Sequence, residues 1–229
     1  MIQTTEHRLY LFLLFITLAC SLPLQTILAQ DSGEFEVARI KYRGGGDWYN
    51  DPSALENLLR FAKENLPISV AAEYKDVALG NSSLHSYPFA FLTGHGTISV
   101  NSGEASNLRE YLQNGGFLYI DDDYGLDKYA RRLIKEVFPD EDFIELPFDH
   151  PIYHMVYDFD NGPPKIHKHD GKQPQGFGIF SEGRLVIYYT SESNVSDGWA
   201  NPDVHKDPES VRQKAFRMGA NILAFALTY

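Results

Sequence analysis

The sequence predicts an α/β fold, a three-layer sandwich with a mostly parallel central sheet and a C-terminal hairpin followed by a helix. Three observations lead to this prediction. Runs of strand-forming residues alternate with amphipathic segments, the links between them are short, and no internal repeat or shift in composition marks a second domain. The length of 229 residues also suits one domain of this class.

Three early segments are predicted to be strands. Residues 35–42 (FEVARIKY) and 68–74 (ISVAAEY) are rich in strand-forming side chains. Residues 88–94 (PFAFLTG) are nearly all apolar, which is typical of a strand buried on both faces. Strands of this kind belong in the interior of a parallel sheet.

The first helix is predicted over residues 52–65. Asp51-Pro52 is a typical helix start, with Asp as the N-cap and Pro at the first helical position. The apolar residues that follow at helical spacing are Leu55, Leu58, Leu59, Ala62 and Leu66.

A second strand and helix pair follows in the same order. NSGEASNLREYLQNGG (101–116) predicts a helix that is capped by Asn101 or Ser102 and ended by the glycine pair 115–116. The strand FLYID (117–121) comes next, and residues 125–138 predict a third helix. This alternation favours a parallel sheet covered on both faces.

The last third of the chain is less regular. Residues 141–159 suggest a strand and a segment broken by proline, and residues 161–175 suggest a loop. Residues 176–190 (GFGIFSEGRLVIYYT) predict a hairpin with its turn at 181–183. Asp207-Pro208 is expected to start the last helix, as Asp51-Pro52 starts the first.

The N-terminal 29 residues are predicted to be a signal peptide, and residues 30–229 a single domain. Arg8 precedes the apolar run LYLFLLFITLAC, and Ala29 suits a cleavage site. The run is shorter than the roughly 20 apolar residues that cross a bilayer, so we expect no transmembrane span after cleavage. The protein is therefore predicted to be exported, periplasmic or secreted. Lipoprotein anchoring through Cys20 is the alternative.

Charge and cysteine content exclude several functions. The net charge is −11 and no basic stripe is visible, which argues against a nucleic-acid partner. Cys20 is the only cysteine, so a chain cut after Ala29 has neither disulfides nor a thiol nucleophile. No G-x-S-x-G, Walker or dinucleotide glycine motif occurs.

The main candidate site is a triplet of carboxylates, Asp121, Asp122 and Asp123, at the end of the strand FLYID. Ligands of open parallel sheets bind at this end of the strands. Successive side chains point to opposite sides, so at most two of the three carboxylates converge, and two close carboxylates need a cation or an Arg. One interpretation is therefore a site for a divalent metal or a small polar ligand. The alternative is that Asp122 or Asp123 caps the following helix.

Histidines supply further candidates. His95, in TGHG, follows a buried strand and is expected at the same edge as a metal ligand, a general base or a turn residue. His150 and His154 are four residues apart, which suits a metal-binding pair, although structural packing explains them better. His167 and His169 lie in KIHKHD, which is predicted to be a solvated surface loop, with a site there as the alternative.

Two further loops are considered. RGGGDW (43–48) is rich in glycine but lacks the Lys-Ser/Thr ending of a phosphate loop, and it is predicted to be a flexible rim. Trp48, Tyr49 and Trp199 lie in predicted loops, where they either line a carbohydrate surface or pack inward.

Together, FLTGHG, LREYLQNGGFLYIDDDYG, DHPIYH and the hairpin GRLVIYYTSES with its later GW resemble the domain of unknown function family 4159 over residues 35–229. The resemblance implies a flavodoxin-like sheet related to the class I glutamine amidotransferase-like domains. Those enzymes carry an activated Cys on a turn after a central strand, and the comparable turn here, IDDDYG, has no thiol. The resemblance therefore implies the fold without amidotransferase activity, and it identifies no catalytic residue.

The function predicted from the sequence is that of a binding or scaffolding module of the cell envelope. Its partners would be envelope proteins or a small polar ligand. The alternative is a metal-assisted hydrolase in which the carboxylates and His95 hold a divalent metal or activate water. The first is favoured because the sequence alone assembles no nucleophile with its base.

Overall fold

A computed structural model describes residues 33–229. The predicted signal peptide, its cleavage position at Ala29 and Cys20 lie outside the described residues. None of the helices in residues 33–229 combines the length and the apolar character that crossing a membrane requires.

Seven strands form one sheet. They are β1 Phe35–Lys41, β2 Val70–Ala78, β3 Phe89–Leu92, β4 Phe117–Asp121, β5 Ile144–Glu145, β6 Gln175–Ser181 and β7 Arg184–Ser191. Their order across the sheet is β2-β1-β3-β4-β7-β6-β5. The first five strands in this order are parallel, whereas β6 and β5 pair antiparallel. The predicted parallel sheet and hairpin are confirmed.

Helices cover both faces of the sheet. They are α1 Ala54–Asn65, α2 Ser102–Gln113, α3 Asp127–Val137, α4 Pro202–His205 and α5 Glu209–Thr228. Apolar side chains of α1 and α5 pack in one core cluster, and those of α2 and α3 pack in the other. The predicted three-layer sandwich is confirmed.

The central strands are buried on both faces, because their side chains alternate between the two clusters. In β3, Phe89 and Phe91 face α1 and α5, while Ala90 and Leu92 face α2 and α3. On the first face, the ring of Tyr119 stacks at 5.7 Å on Phe91. Burial of each such large side chain stabilises the fold by about 1.5–3 kcal/mol, so this layer fixes the positions at which the strands end.

The strand order reverses between β1 and β3. The chain runs from β1 outward to β2 in one direction and from β3 to β4 in the other, so the loops after β1 and β3 diverge at the carboxyl edge. In open α/β sheets this divergence creates the crevice that binds ligands. The topology therefore selects one edge of the sheet for a site.

The glycine-rich loop 43–46 follows β1 at the carboxyl edge of the sheet. Arg43 pairs with Ser99, and the N–H of Gly46 donates to the Thr97 carbonyl at 3.2 Å. A Cβ at Gly44 would lie 2.6 Å from the Thr97 oxygen, and the φ of Gly44 is +118°, so only glycine fits there. The loop thus packs against the segment that follows β3.

Both Asp-Pro helix starts were wrong in detail. α1 begins at Ala54, after Ser53, and α5 begins at Glu209, after Pro208, in neither case with a side-chain cap. The Asp51 carboxylate instead contacts His205, and the Asp207 carboxylate contacts His167. The histidines offer these carboxylates ionic partners, and the helices start one or two residues later.

Two further predictions can be compared with the structure. Trp199 is fully buried and its indole N–H donates to the Ala215 carbonyl at 2.8 Å, so of the two roles considered for it, packing in the core is the one that the structure has. The strand predicted within residues 141–159 is only the two-residue β5. The hairpin turn lies at Glu182-Gly183, as predicted, with both residues at positive φ.

Candidate functional site

A pocket of about 490 Å³ opens at the carboxyl edge of the sheet. The loops after β1, β3, β4 and β7 supply most of its lining, and the loop before β6 and the helix α4 supply the rest. Its ten lining residues are Asn50, Asp51, His95, Asp123, Tyr124, His167, His169, Asn194, Asp197 and His205. Two of the sequence-predicted site residues, His95 and Asp123, are among them.

The carboxylate triplet divides into three environments. Asp121 is fully buried and accepts hydrogen bonds from the Thr190 hydroxyl and from the N–H and hydroxyl of Ser196. Asp122 points to the other side of the strand and accepts the Leu126 N–H at 2.8 Å, ahead of α3. The contact precedes the first turn of α3, whose N-cap residue Leu126 has no side-chain capping bond, so neither Asp122 nor Asp123 is the N-cap that the alternative predicted.

Asp123 is the member of the triplet that lines the pocket, although it is only 3% exposed. Its two oxygens accept hydrogen bonds from the side-chain amides of Asn50 and Asn194, the second at 2.9 Å. The His95 Nδ1 lies 3.5 Å from Asp123 Oδ2. Asp123 is therefore surrounded by polar groups from three different loops.

His95 lies at the rim, with its side chain 51% exposed. Its backbone N–H donates to Asp47 Oδ1, and its Nδ1 lies 3.1 Å from Asp47 Oδ2. A carboxylate beside Nδ1 holds the proton on that nitrogen, which leaves Nε2 as the basic atom. Asp47 thus orients His95 through two contacts.

The loop after β7, called here the β7 loop (residues 192–200), is buried throughout and yet rich in polar side chains. Connecting loops ordinarily run over the surface. Asp197 lies in this loop, and its Oδ2 accepts the Asn194 side-chain amide at 2.7 Å. Neither residue was predicted from the sequence as part of a site.

The histidine loop (residues 161–172) is fastened to the β7 loop. Glu192 accepts hydrogen bonds from the Lys165 ammonium at 2.9 Å and from the Lys172 N–H at 3.2 Å. The Ser193 carbonyl accepts the Ile166 N–H at 2.9 Å. These contacts hold the loop at the position where His167 and His169 line the pocket.

The prediction that KIHKHD is a solvated surface was wrong for His167, whose side chain is 27% exposed. Its Nδ1 lies 2.7 Å from Asp197 Oδ2, and its Nε2 lies 3.1 Å from Asp207 Oδ2. The ring is therefore held between two carboxylates. The lysines and prolines around it masked this position in the sequence.

His205 closes the other side of the pocket. Its Nε2 lies 2.7 Å from Asp51 Oδ2, and its ring centre lies 5.1 Å from that of His167. Asp51 follows β1 and His205 follows β7, so the contact joins segments 154 residues apart.

Five titratable side chains of the pocket form two overlapping groups of three. His167, Asp197 and His205 offer ligand atoms that all lie within 4.8 Å of one another, and so do Asp51, Asp123 and Asp197. Asp197 belongs to both groups. The first group combines two imidazoles and one carboxylate, and the second contains only carboxylates.

Burial shapes the charges in the pocket. Burial and repulsion from Asp197 raise the pKa of Asp123 well above its ordinary value. Burial opposes ionisation of Asp197 as well, but hydrogen bonds from His167 and Asn194 outweigh it and lower its pKa. The hydrogen bond to Asp197 raises the pKa of His167 to about 9. Protons on Asp123 and His167 therefore compensate the clustered negative charge.

Three buried side-chain polar atoms in the described residues lack a hydrogen-bond partner, and all three belong to the pocket lining. They are Asn50 Oδ1, His169 Nε2 and Asn194 Oδ1. Buried polar atoms are rarely left unpaired because each costs about 1–3 kcal/mol. Their concentration in one pocket points to a ligand.

Backbone strain lies in the same place. Seven non-glycine residues have positive φ in the described part of the chain. Four of them line the pocket, namely Asp51, Tyr124, His169 and Asn194. Such conformations cost about 1–3 kcal/mol each and cluster at functional sites.

His150 and His154 lie elsewhere. His150 packs against Phe180 and Phe225 near the β6–β7 turn, at the edge of the sheet opposite the pocket. The nitrogens of His154 contact Asp158 and the Phe148 carbonyl. Packing and local hydrogen bonds account for both.

The arrangement of the pocket suits a divalent cation. Imidazole nitrogens and carboxylate oxygens are ligands for Zn²⁺, Mn²⁺ and Fe²⁺. The strand-end rule that located Asp123 could also have found Asp197, since β7 is parallel to β4 and ends at the same edge. No comparable signal marks Asp51, His167 or His205, which tertiary contacts bring together.

One comparison with known proteins identifies a relationship. The family model described as Domain of unknown function (DUF4159) matches residues 36–227. No curated protein matches the chain. Because the family model covers most of the sequence, the chain belongs to the DUF4159 family.

Proposed function

We propose that this protein is a metal-assisted hydrolase whose pocket holds a divalent cation through His167, Asp197 and His205. One observation carries the proposal, the convergence of two imidazoles and one carboxylate with ligand atoms within 4.8 Å of one another. Three protein ligands of this type are typical of catalytic zinc sites, which keep a further position for water or substrate.

The surroundings of these three residues suit metal ligands. The Nδ1 of His167 faces Asp197, while its Nε2 lies 3.1 Å from Asp207. A carboxylate on the second nitrogen of a ligating histidine fixes the ring and raises its basicity. The side-chain amide of Asn194 donates a hydrogen bond to Asp197 and so fixes the orientation of that carboxylate.

A divalent cation bound here would lower the pKa of a water molecule and polarise a substrate oxygen. His95 supplies the base, because Asp47 holds its Nδ1 and leaves Nε2 to take a proton from the attacking water. In the hydrolysis, the water oxygen bonds to a carbonyl carbon or a phosphorus atom. The bond to the leaving group then breaks, and the leaving group takes the proton from His95.

A binding or scaffolding module of the cell envelope is the second candidate. The exposed rings of Tyr49, which neighbours the lining residue Asn50, and of Tyr124 favour it. Exposed aromatic side chains at a pocket suit recognition of a ligand or a partner protein. In a binding module the cation would bind a ligand that the protein does not hydrolyse.

The first experiment is metal analysis of protein expressed from the full-length chain and purified without chelator or metal-affinity resin. We expect near-stoichiometric metal in the wild type and its loss in His205→Ala and Asp197→Asn. His85→Ala is the matched control, since His85 is exposed and lies outside the pocket lining. Absence of metal from the wild type would overturn the proposal.

Activity assays then separate the two functions. Ester, amide and phosphate-ester substrates are tested with the metal-loaded wild type and with His95→Ala. We expect His95→Ala to keep its metal and lose about 10²–10⁴-fold in rate, the usual contribution of a general base. A metal-loaded protein that hydrolyses none of these substrates and retains a partner in a pull-down would favour the binding module.

A further inference from the structure

We propose that the pocket holds a second cation and that Asp197 bridges the two. This inference rests on the proposed function, because the first cation is the one held by His167, Asp197 and His205. The second would lie between Asp51, Asp123 and Asp197, whose ligand atoms also lie within 4.8 Å of one another. Asp197 is the residue common to both groups.

The balance of charge supports a second cation. Asp51, Asp123 and Asp197 have no Lys or Arg ion pair in the part of the chain that the structure describes, and histidines are their only ionic partners there. Converging carboxylates without a Lys or Arg partner favour a bound cation, which supports a second ion between these three residues.

An independent observation comes from Asn194. This residue is 3% exposed, and its Nδ2 donates to Asp123 Oδ1 and Asp197 Oδ2. The amide therefore contacts two of the three carboxylates of the proposed second site. Its Oδ1 is buried and has no hydrogen-bond partner. An unpaired amide oxygen of a pocket-lining residue is available to a cation or to its bound water.

The two halves of the pocket differ in their ligand chemistry. The first half offers two imidazoles and suits Zn²⁺ or a similar metal, while the second offers carboxylate and amide oxygens. Hard cations such as Mn²⁺, Mg²⁺ and Ca²⁺ prefer oxygen ligands of this kind. Paired metals about 3.5–4 Å apart stabilise both the attacking and the leaving oxygen of a displacement. The inference thus gives the oxygen-rich half a role in the proposed hydrolysis.

The test is a Mn²⁺ titration of chelator-stripped protein expressed from the full-length chain, followed by calorimetry and electron paramagnetic resonance. We expect two Mn²⁺ per chain and the exchange-coupled spectrum of a carboxylate-bridged pair. Asp123→Asn should still bind one ion, and its affinity for the second should fall by at least about tenfold. Asp203→Asn, an exposed carboxylate of α4 outside the pocket lining, should still bind two.

The outcomes separate the two proposals. One Mn²⁺ per wild-type chain, with an affinity that Asp123→Asn leaves unchanged, would overturn the second site and leave the proposed function standing. No Mn²⁺ and no Zn²⁺ would overturn both. If Asp123→Asn fails to fold by circular dichroism, Asn194→Gly replaces it, because glycine accepts the φ of +56° at this position. Loss of the second ion in Asn194→Gly supports the inference.

Discussion

Three identical side chains in a row have three different roles. Asp121 and Asp123 point to the same side of the chain, as alternation along a strand requires, and Asp122 points to the other. Asp121 holds Ser196 of the β7 loop, and Asp122 holds the N–H of Leu126. Asp123 lines the pocket. Substitutions at these neighbouring positions should therefore have separable consequences.

Asp122→Asn tests the environment of the middle carboxylate. Burial raises the pKa of Asp122 to about 6, although the hydrogen bond from Leu126 opposes the shift. Since the pKa is raised in the folded state, the contribution of the protonated acid to stability is complete below pH 4 and is lost as the pH rises through 6. Asparagine keeps the acceptor oxygen without the charge. We therefore expect the free energy of unfolding of Asp122→Asn at pH 8 to exceed that of the wild type by about 2–3 kcal/mol.

Urea unfolding between pH 4 and pH 8, with chelator present, measures this difference. The gain in the free energy of unfolding should shrink towards zero at pH 4. Asp140→Asn, at an exposed position, is the control and should show no comparable trend. A stability difference that is the same at both ends of the pH range would contradict the prediction.

At the scale of elements, the helix starts differ in what their polar residues do. α2 begins with a capping box, in which Asn101 accepts the Glu104 N–H and the Glu104 side chain accepts the Asn101 N–H. α1 and α5 follow Asp-Pro pairs, yet Asp51 and Asp207 contact histidines of the pocket. Two local signals of helix initiation thus coincide with residues that build the site.

This contrast predicts that two alanine substitutions affect different properties, one the stability of the fold and the other the affinity for metal. Asn101→Ala removes a real cap and should lower the free energy of unfolding by about 0.5–2 kcal/mol, with no change in metal affinity. Asp207→Ala removes the carboxylate behind His167 and should weaken metal binding by about 10–100-fold. Urea unfolding and calorimetric metal titration of both variants check the pair. Unchanged metal affinity in Asp207→Ala would show that Asp207 does not support the ligand.

At the scale of the whole molecule, the sequence allows prediction of the layers and of one wall of the pocket. Hydrophobic periodicity locates the helices and central strands, because each buries a continuous apolar face. The strand-end rule locates Asp123 and His95, since both follow parallel strands. These predictions depend only on residues close together in the chain.

The remaining wall depends on contacts that local pattern does not encode. His205 contacts Asp51, 154 residues away, and His167 contacts Asp207 across 40 residues. Asp51 and Asp207 each precede a proline, which made them look like helix caps. The lysines beside His167 suggested a solvated loop, but Lys165 in fact pairs with the buried Glu192. In each case tertiary structure gives the side chain a partner that its neighbours in sequence conceal.

A cation at this position would connect distant parts of the domain, because the pocket draws on the loops after β1, β3, β4 and β7, the histidine loop and α4. A ligand that binds only the folded state at 100 times its Kd stabilises a protein by about 2.7 kcal/mol. For a domain of this size, 1 kcal/mol raises Tm by roughly 2–4 °C. We therefore expect Zn²⁺ at that excess to raise Tm by about 5–10 °C, and His205→Ala to abolish this rise with Zn²⁺.

The rise in Tm should also depend on pH. The pKa of His167 is raised to about 9 and that of Asp123 is raised by burial, so a cation must displace protons from both. In the metal-free protein, the stabilisation from protonated His167 is complete below pH 6 and is lost as the pH rises through 9. Metal-free protein should therefore weaken over the range in which metal binding strengthens. Scanning calorimetry at pH 6, 7 and 8 should show that the increase in Tm caused by metal becomes larger as the pH rises. If this increase instead becomes smaller as the pH rises, His167 and Asp123 are not ligands that lose a proton when the metal binds.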